Sequence, residues 1–88
     1  MGSCVKQTFS NITPDQFTCI CQQIESKFEI TIPGDSGEIT QSGFTVEWDY
    51  NSQTQEFDVQ CLDSPFFVSC GTINQSIHDV VDGCRDEL

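Results

Sequence analysis

Between Phe44 and Leu62 apolar and polar side chains alternate in two successive runs. Phe44, Val46, Trp48 and Tyr50 are interleaved with Thr45, Glu47 and Asp49; after Asn51-Ser52-Gln53-Thr54 the alternation resumes, with Phe57, Val59 and Cys61 set against Glu56, Asp58 and Gln60. A period of two is the mark of half-buried strands, and the polar tetrapeptide between the runs makes them a β-hairpin. Folding about that turn pairs Trp48 with Phe57, Val46 with Val59 and Phe44 with Cys61, which gathers the apolar residues on one face. A slip of one residue would turn that set into water, so the register is expected to specify itself.

Upstream the period changes. Thr13, Pro14 and Gln16 form an N-cap, a proline in the first turn and the far half of a capping box, with Ile12 and Phe17 placed as a hydrophobic staple. Phe17, Ile20, Cys21, Ile24 and Phe28 then recur at helical spacing and predict one buried stripe, which leaves Cys19 on the far side of the helix. Phe28, Ile30 and Ile32 share a side and predict a strand over residues 29–32. Pro33 to Gly37 reads as a turn, Glu38 to Thr40 as a second short strand, and Gln41-Ser42-Gly43 as the turn into the hairpin. Beyond Pro65, Phe66-Phe67-Val68 is expected to seal the edge between the sheet and a second helix. That helix is capped by Ser69 or Thr72, striped by Ile73, Ile77, Val80, Val81 and Cys84, and closed near Gly83.

Two helices with single apolar stripes and a sheet with a single apolar face can satisfy one another only by packing face to face. The predicted fold is an α+β two-layer sandwich, a four-stranded antiparallel meander with two helices on one face, in the order αββββα. Residues 1–11 form a polar lead-in anchored by Val5 and Phe9, 12–84 the single domain, and 85–88 a short acidic tail. Hydrophobic residues at 36% and aromatics at 10% are enough for a packed core, so the composition is not that of a disordered chain.

Charge changes the picture on the face left bare. Three basic residues stand against fourteen acidic ones, a formal net charge of −11. Such a chain is repelled by nucleic-acid phosphate and by anionic membranes, so neither is an expected partner; basic protein surfaces are. In the expected register Glu47 faces Asp58 and Asp49 faces Glu56, and like charges directly opposite destabilise a sheet. Glu47, Asp49, Glu56 and Asp58 are therefore the candidate partner-binding residues. The plain alternative is a solvated face with no role beyond solubility.

Six cysteines in 88 residues is a high count for a reducing compartment. Cys21, Cys61 and Cys84 project toward the core as small hydrophobes, whereas Cys4, Cys19 and Cys70 fall in loop, exposed or cap positions. Disulfides and free thiols both fit. Cys61 with Cys70, and Cys84 with one of the two cysteines of the first helix, are the sterically easiest pairs. Zinc is disfavoured, because Cys19 and Cys21 point apart on a helix and His78 is the lone histidine. A cysteine nucleophile would need His78 as its base, and Cys70 lies two helical turns from it, about 12 Å at ~1.5 Å per residue. No phosphate loop, dinucleotide fingerprint or hydrolase elbow is present.

Short patterns add little. Met1-Gly2-Ser3-Cys4 matches an acylation start only in part, because Lys6 stands where Ser or Thr is wanted, and it looks as much like a cloning remnant. Arg85-Asp86-Glu87-Leu88 resembles a retrieval signal, no leader or membrane span is visible, and Asn11 and Asn74 head glycosylation sequons. No motif identifies a family. The sequence thus predicts a small acidic, non-enzymatic protein-interaction module without cofactor, which presents its acidic sheet face to a basic partner; one form is an inhibitor that mimics nucleic acid. Two alternatives are a calcium-binding domain on the same carboxylates and a cysteine-stabilised exported domain of structural role.

Overall fold

A computed structural model describes residues 3–87; Met1 and Gly2 of the acylation-like start and Leu88 of the retrieval-like tetrapeptide lie outside the described residues. The elements in chain order are β1 (Gln7–Phe9), α1 (Pro14–Phe28), β2 (Ser36–Gln41), β3 (Phe44–Asn51), β4 (Glu56–Asp63) and α2 (Cys70–Glu87). All strand pairs are antiparallel, in the spatial order β1-β4-β3-β2. The buried stripes of both helices share one core with Val46, Trp48, Tyr50, Phe57 and Val59 of the sheet. The expected α+β two-layer sandwich, four antiparallel strands under two helices, is the architecture of the molecule.

The fourth strand, however, comes from a different segment. Residues 29–32 do not pair in the sheet; β1, in the 1–11 lead-in, takes the edge beside β4. The alternation of Phe28, Ile30 and Ile32 reflects burial alone. Ile30 is almost wholly buried, yet the backbone around it is satisfied by side chains: Thr31 N–H donates to Gln41 Oε1 and Glu29 C=O accepts from Ser42 Oγ. In β1 only Phe9 is buried, too short a run for alternation to reveal it, and Val5 is exposed rather than anchored.

α1 starts as its sequence requires. Thr13 Oγ1 accepts from Gln16 N–H, Gln16 Oε1 accepts from Thr13 N–H, and Ile12 and Phe17 are both buried. Tyr50 Oη donates to the Ile12 carbonyl at 2.7 Å, and its ring stacks on Phe17 with centroids 4.2 Å apart, which ties the helix start to β3. Ser69 caps α2, its Oγ accepting from Thr72 N–H. That helix does not close at Gly83 but runs on to Glu87 within the expected tail, where Arg85 donates to the Ser10 carbonyl.

The β-hairpin 44–62 keeps its predicted faces but not its predicted register. Tyr50 pairs with Phe57, Trp48 with Val59 and Val46 with Cys61, a shift of two residues. The cause lies in the turn. Asn51 Oδ1 accepts from Gln53 and Thr54 N–H, and Gln55 adopts a left-handed φ of 61°, so the loop takes in Gln55 and Glu56 faces Asn51 instead of Asp49. A shift of two leaves every side chain on its original face, which is why the alternation could not distinguish the two.

Two further expectations fail. Phe66 and Phe67 seal nothing: they are 82% and 76% exposed and pack edge to face on each other. Cys70 bonds to Cys4 rather than to Cys61, while Cys84 bonds to Cys19 of the first helix as one of the expected pairs. Cys21 and Cys61 remain thiols. The two bonds secure α2, about 27 Å long at ~1.5 Å per residue, near both of its ends.

Candidate functional site

The outer face of the sheet is built by three ladders. Ser42 and Gly43 form a two-residue turn with φ of 55° and 85°, the left-handed pair that suits strand twist, and this turn sets Glu38 directly opposite Glu47. Glycine also eases the approach of Pro65, whose ring would lie 3.1 Å from a Cβ at Gly43. In the next ladder Asp49 faces Asp58, and Thr8 of β1 flanks Asp58 on its other side. Glu47 faces Gln60 in that ladder and not Asp58.

The expected patch is therefore re-formed. Glu47, Asp49 and Asp58 lie together, Glu56 is drawn off to the loop end opposite Asn51, and Glu38 joins them from the edge strand β2. Glu38 was legible in the sequence, since a Ser-Gly two-residue turn fixes the pairing of the strands on either side of it. These four carboxylates border one shallow open depression of about 500 Å³, with Lys6 at its rim. Beneath it Trp48 is held in the core face: its indole N–H donates to Gly34 C=O at 2.9 Å, and a Cβ on Gly37 would stand 3.5 Å from its ring.

Along one strand successive outward residues are about 6.8 Å apart, and neighbouring strands about 4.8 Å. Glu38, Glu47, Asp49 and Asp58 form a slanted array of two facing pairs with that spacing, each pair across a different ladder. Such an array attracts cations over its whole area without converging on a point. Among the described residues, no three of His, Cys, Asp and Glu come together as a metal site.

The residues weighed for catalysis are differently placed. Cys70 is oxidised in its bond to Cys4, and His78 Nε2 is hydrogen-bonded to Gln7 Oε1 with its ring edge-on to Phe9. Burial, with Asp35 as a lesser contributor, pushes the Cys21 thiol up to about 11, so this sulfur is a poor nucleophile at neutral pH. Burial also raises Cys61, against a hydrogen bond with the Asp63 backbone that lowers it. Asn11 of the first sequon is exposed in a left-handed conformation, whereas Asn74 of the second lies on α2 with its side-chain oxygen shut from solvent.

No family model, curated protein or solved structure matches the chain. The face must be read on its own chemistry. Among the described residues no helix is long and apolar enough to cross a membrane.

Proposed function

We propose that this chain is a small non-enzymatic interaction module that receives a basic protein surface on the outer face of its sheet, through Glu38, Glu47, Asp49 and Asp58. The observation that carries the reading is the placement of two like-charge pairs directly opposite each other in adjacent ladders. A sheet face with no binding duty relieves such pairs at no cost by a single exchange of Glu for Gln or Lys. Lysine and arginine side chains of a partner would meet carboxylates about 5 to 7 Å apart in two directions, a match for an extended basic segment or for a groove that holds nucleic-acid phosphates. The two disulfides support a version of this module that works in an oxidising, exported setting. The calcium alternative has no such support, because the carboxylates are spread over the ladders instead of gathered around one point.

The test separates the face from the net charge. One variant carries Glu38→Gln, Glu47→Gln, Asp49→Asn and Asp58→Asn; a control carries Glu25→Gln, Asp79→Asn, Asp82→Asn and Asp86→Asn, with the same net charge and an unaltered sheet. Both are titrated with a lysine-rich peptide by calorimetry at low and moderate salt. The face variant should lose most of the affinity while the control keeps it. Equal weakening in both would mean that the peptide senses only overall charge, and would refute the reading.

A further inference from the structure

Three cysteines meet where the N-terminal segment crosses the end of the sheet. Cys4 and Cys61 are 4% and 2% exposed and belong to one core, and Cys4 N–H donates to Cys61 C=O at 2.8 Å. Gln60 Nε2 donates back to Cys4 C=O at 2.8 Å. This contact is one residue out of step with the ladder in which Gln7 faces Val59 and Phe9 faces Phe57. Val5 and Lys6 absorb the extra residue as a bulge, which explains why Val5 is turned outward, 75% exposed. The bulge puts Cys4 opposite Cys61 on the core side. One N–H···O bond joins the two residues while Gln60 takes the Cys4 carbonyl, and a single bond of that length keeps their Cα atoms within the roughly 4.4 to 6.8 Å that disulfides span. Cys4 is nonetheless bonded to Cys70, the first residue of α2, and Cys61 keeps its thiol.

We propose that Cys61 is a resident exchange partner for the Cys4–Cys70 bond, and that the protein carries an internal thiol–disulfide switch. The Cys61 thiol gives its proton to solvent and the thiolate attacks Cys4 Sγ. The Cys4–Cys61 bond forms as Cys4–Cys70 breaks, and Cys70 leaves as a thiolate that takes up a proton. The protein loses and gains no electrons, so no outside oxidant or reductant is consumed. Both pairings close long loops of similar length, so chain entropy favours neither strongly. The apolar neighbours of Cys61, Val46, Ile73 and Ile77 among them, keep the thiol protonated and the exchange slow until this edge of the core opens.

What the exchange changes is the loop before α2. Cys70 anchors that loop to the N-terminal segment, and the loop presents Phe66 and Phe67 at the tip of a turn closed by Val68 N–H to Pro65 C=O and by Ser64 Oγ to Val68 C=O. Release of Cys70 unties the aromatic tip and the first turn of α2 from the N-terminal segment. The resident form holds the tip fixed; the exchanged form lets it move. This inference is independent of the acidic face.

The first test is Cys70→Ser in the full chain, refolded in a glutathione couple, alkylated with N-ethylmaleimide and mapped by peptide mass. The expected product has a Cys4–Cys61 bond and Cys21 as its alkylated thiol. Alkylation of both Cys4 and Cys61 overturns the proposal. The second uses the parent protein, held without denaturant, quenched in acid and mapped in the same way against Cys61→Ala. Alkylated Cys70 with a Cys4–Cys61 peptide should accumulate in the parent and be absent from the variant; alkylation that stays confined to Cys21 and Cys61 in the parent overturns the switch.

Discussion

Asp58→Asn combined with Glu47→Gln should make the protein more stable, and by an amount that salt controls. Asp58 faces Asp49 and Glu47 faces Glu38, so each amide relieves one like-charge pair while keeping the shape of the side chain. Facing residues have Cβ atoms about 4.5 to 5.5 Å apart, and two unit charges about 5 Å apart in a water-like dielectric repel by about 0.8 kcal/mol. With a screening length of about 30 Å at 0.01 M salt each pair retains about 0.7 kcal/mol, and with about 3 Å at 1 M less than ~0.2 kcal/mol. The double variant should therefore gain about 1.4 kcal/mol at low salt, a rise in Tm of roughly 6 to 11 °C for a domain of this size. At 1 M salt the gain should shrink to roughly 1 to 3 °C. Thermal unfolding of parent and variant followed by circular dichroism across that salt range measures it. No gain at low salt, or a gain indifferent to salt, would show that the facing carboxylates cost the fold nothing, and the reasoning from strand register to a retained acidic face would fall.

Other outcomes follow from single contacts. Tyr50→Phe leaves the Ile12 carbonyl without its donor in the core and should cost about 1 to 3 kcal/mol in denaturant unfolding, with the stacking on Phe17 unchanged. Gly83→Ala should stabilise by about 0.5 to 1 kcal/mol, since the position is inside α2 and a Cβ there meets nothing within 4 Å. The Cys21 thiol, raised from 9.0 to about 11 in the folded protein, holds its proton to higher pH there than in the unfolded chain. Its contribution is therefore complete below about pH 8.5 and lost as pH rises toward 11, so the parent should lose more stability than Cys21→Ala in denaturant titrations across that interval.

Much of the fold was legible because period and capping act locally. The Thr13 to Phe17 start of α1 needs no tertiary information, and the alternation from Phe44 to Cys61 marks its buried face unaided. What escaped depends on contacts between distant segments. β1 is three residues long with one buried side chain, and only β4 gives it strand geometry. Residues 29–32 carry the alternation of a strand and lack a neighbour to pair with. Glu56 moved out of the acidic patch because the hairpin loop turned on a left-handed Gln55, a conformation that no glycine announces, whereas the place of Glu38 opposite Glu47 follows from the Ser42-Gly43 turn and was there to be read. Cysteine pairing followed the same divide. Cys84 could reach α1 from the helix stripes alone, whereas Cys4–Cys70 depended on a bulge at Val5 and Lys6 that the sequence does not signal.

The most direct measurement is amide chemical-shift mapping of the isotope-labelled protein titrated with a lysine-rich peptide at low salt. The account predicts shifts concentrated on Glu38, Glu47, Asp49, Asp58 and their strand neighbours, reversed by moderate salt, with α1 and α2 unmoved. Shifts centred on the acidic residues of α2, or spread evenly over the surface, would contradict it.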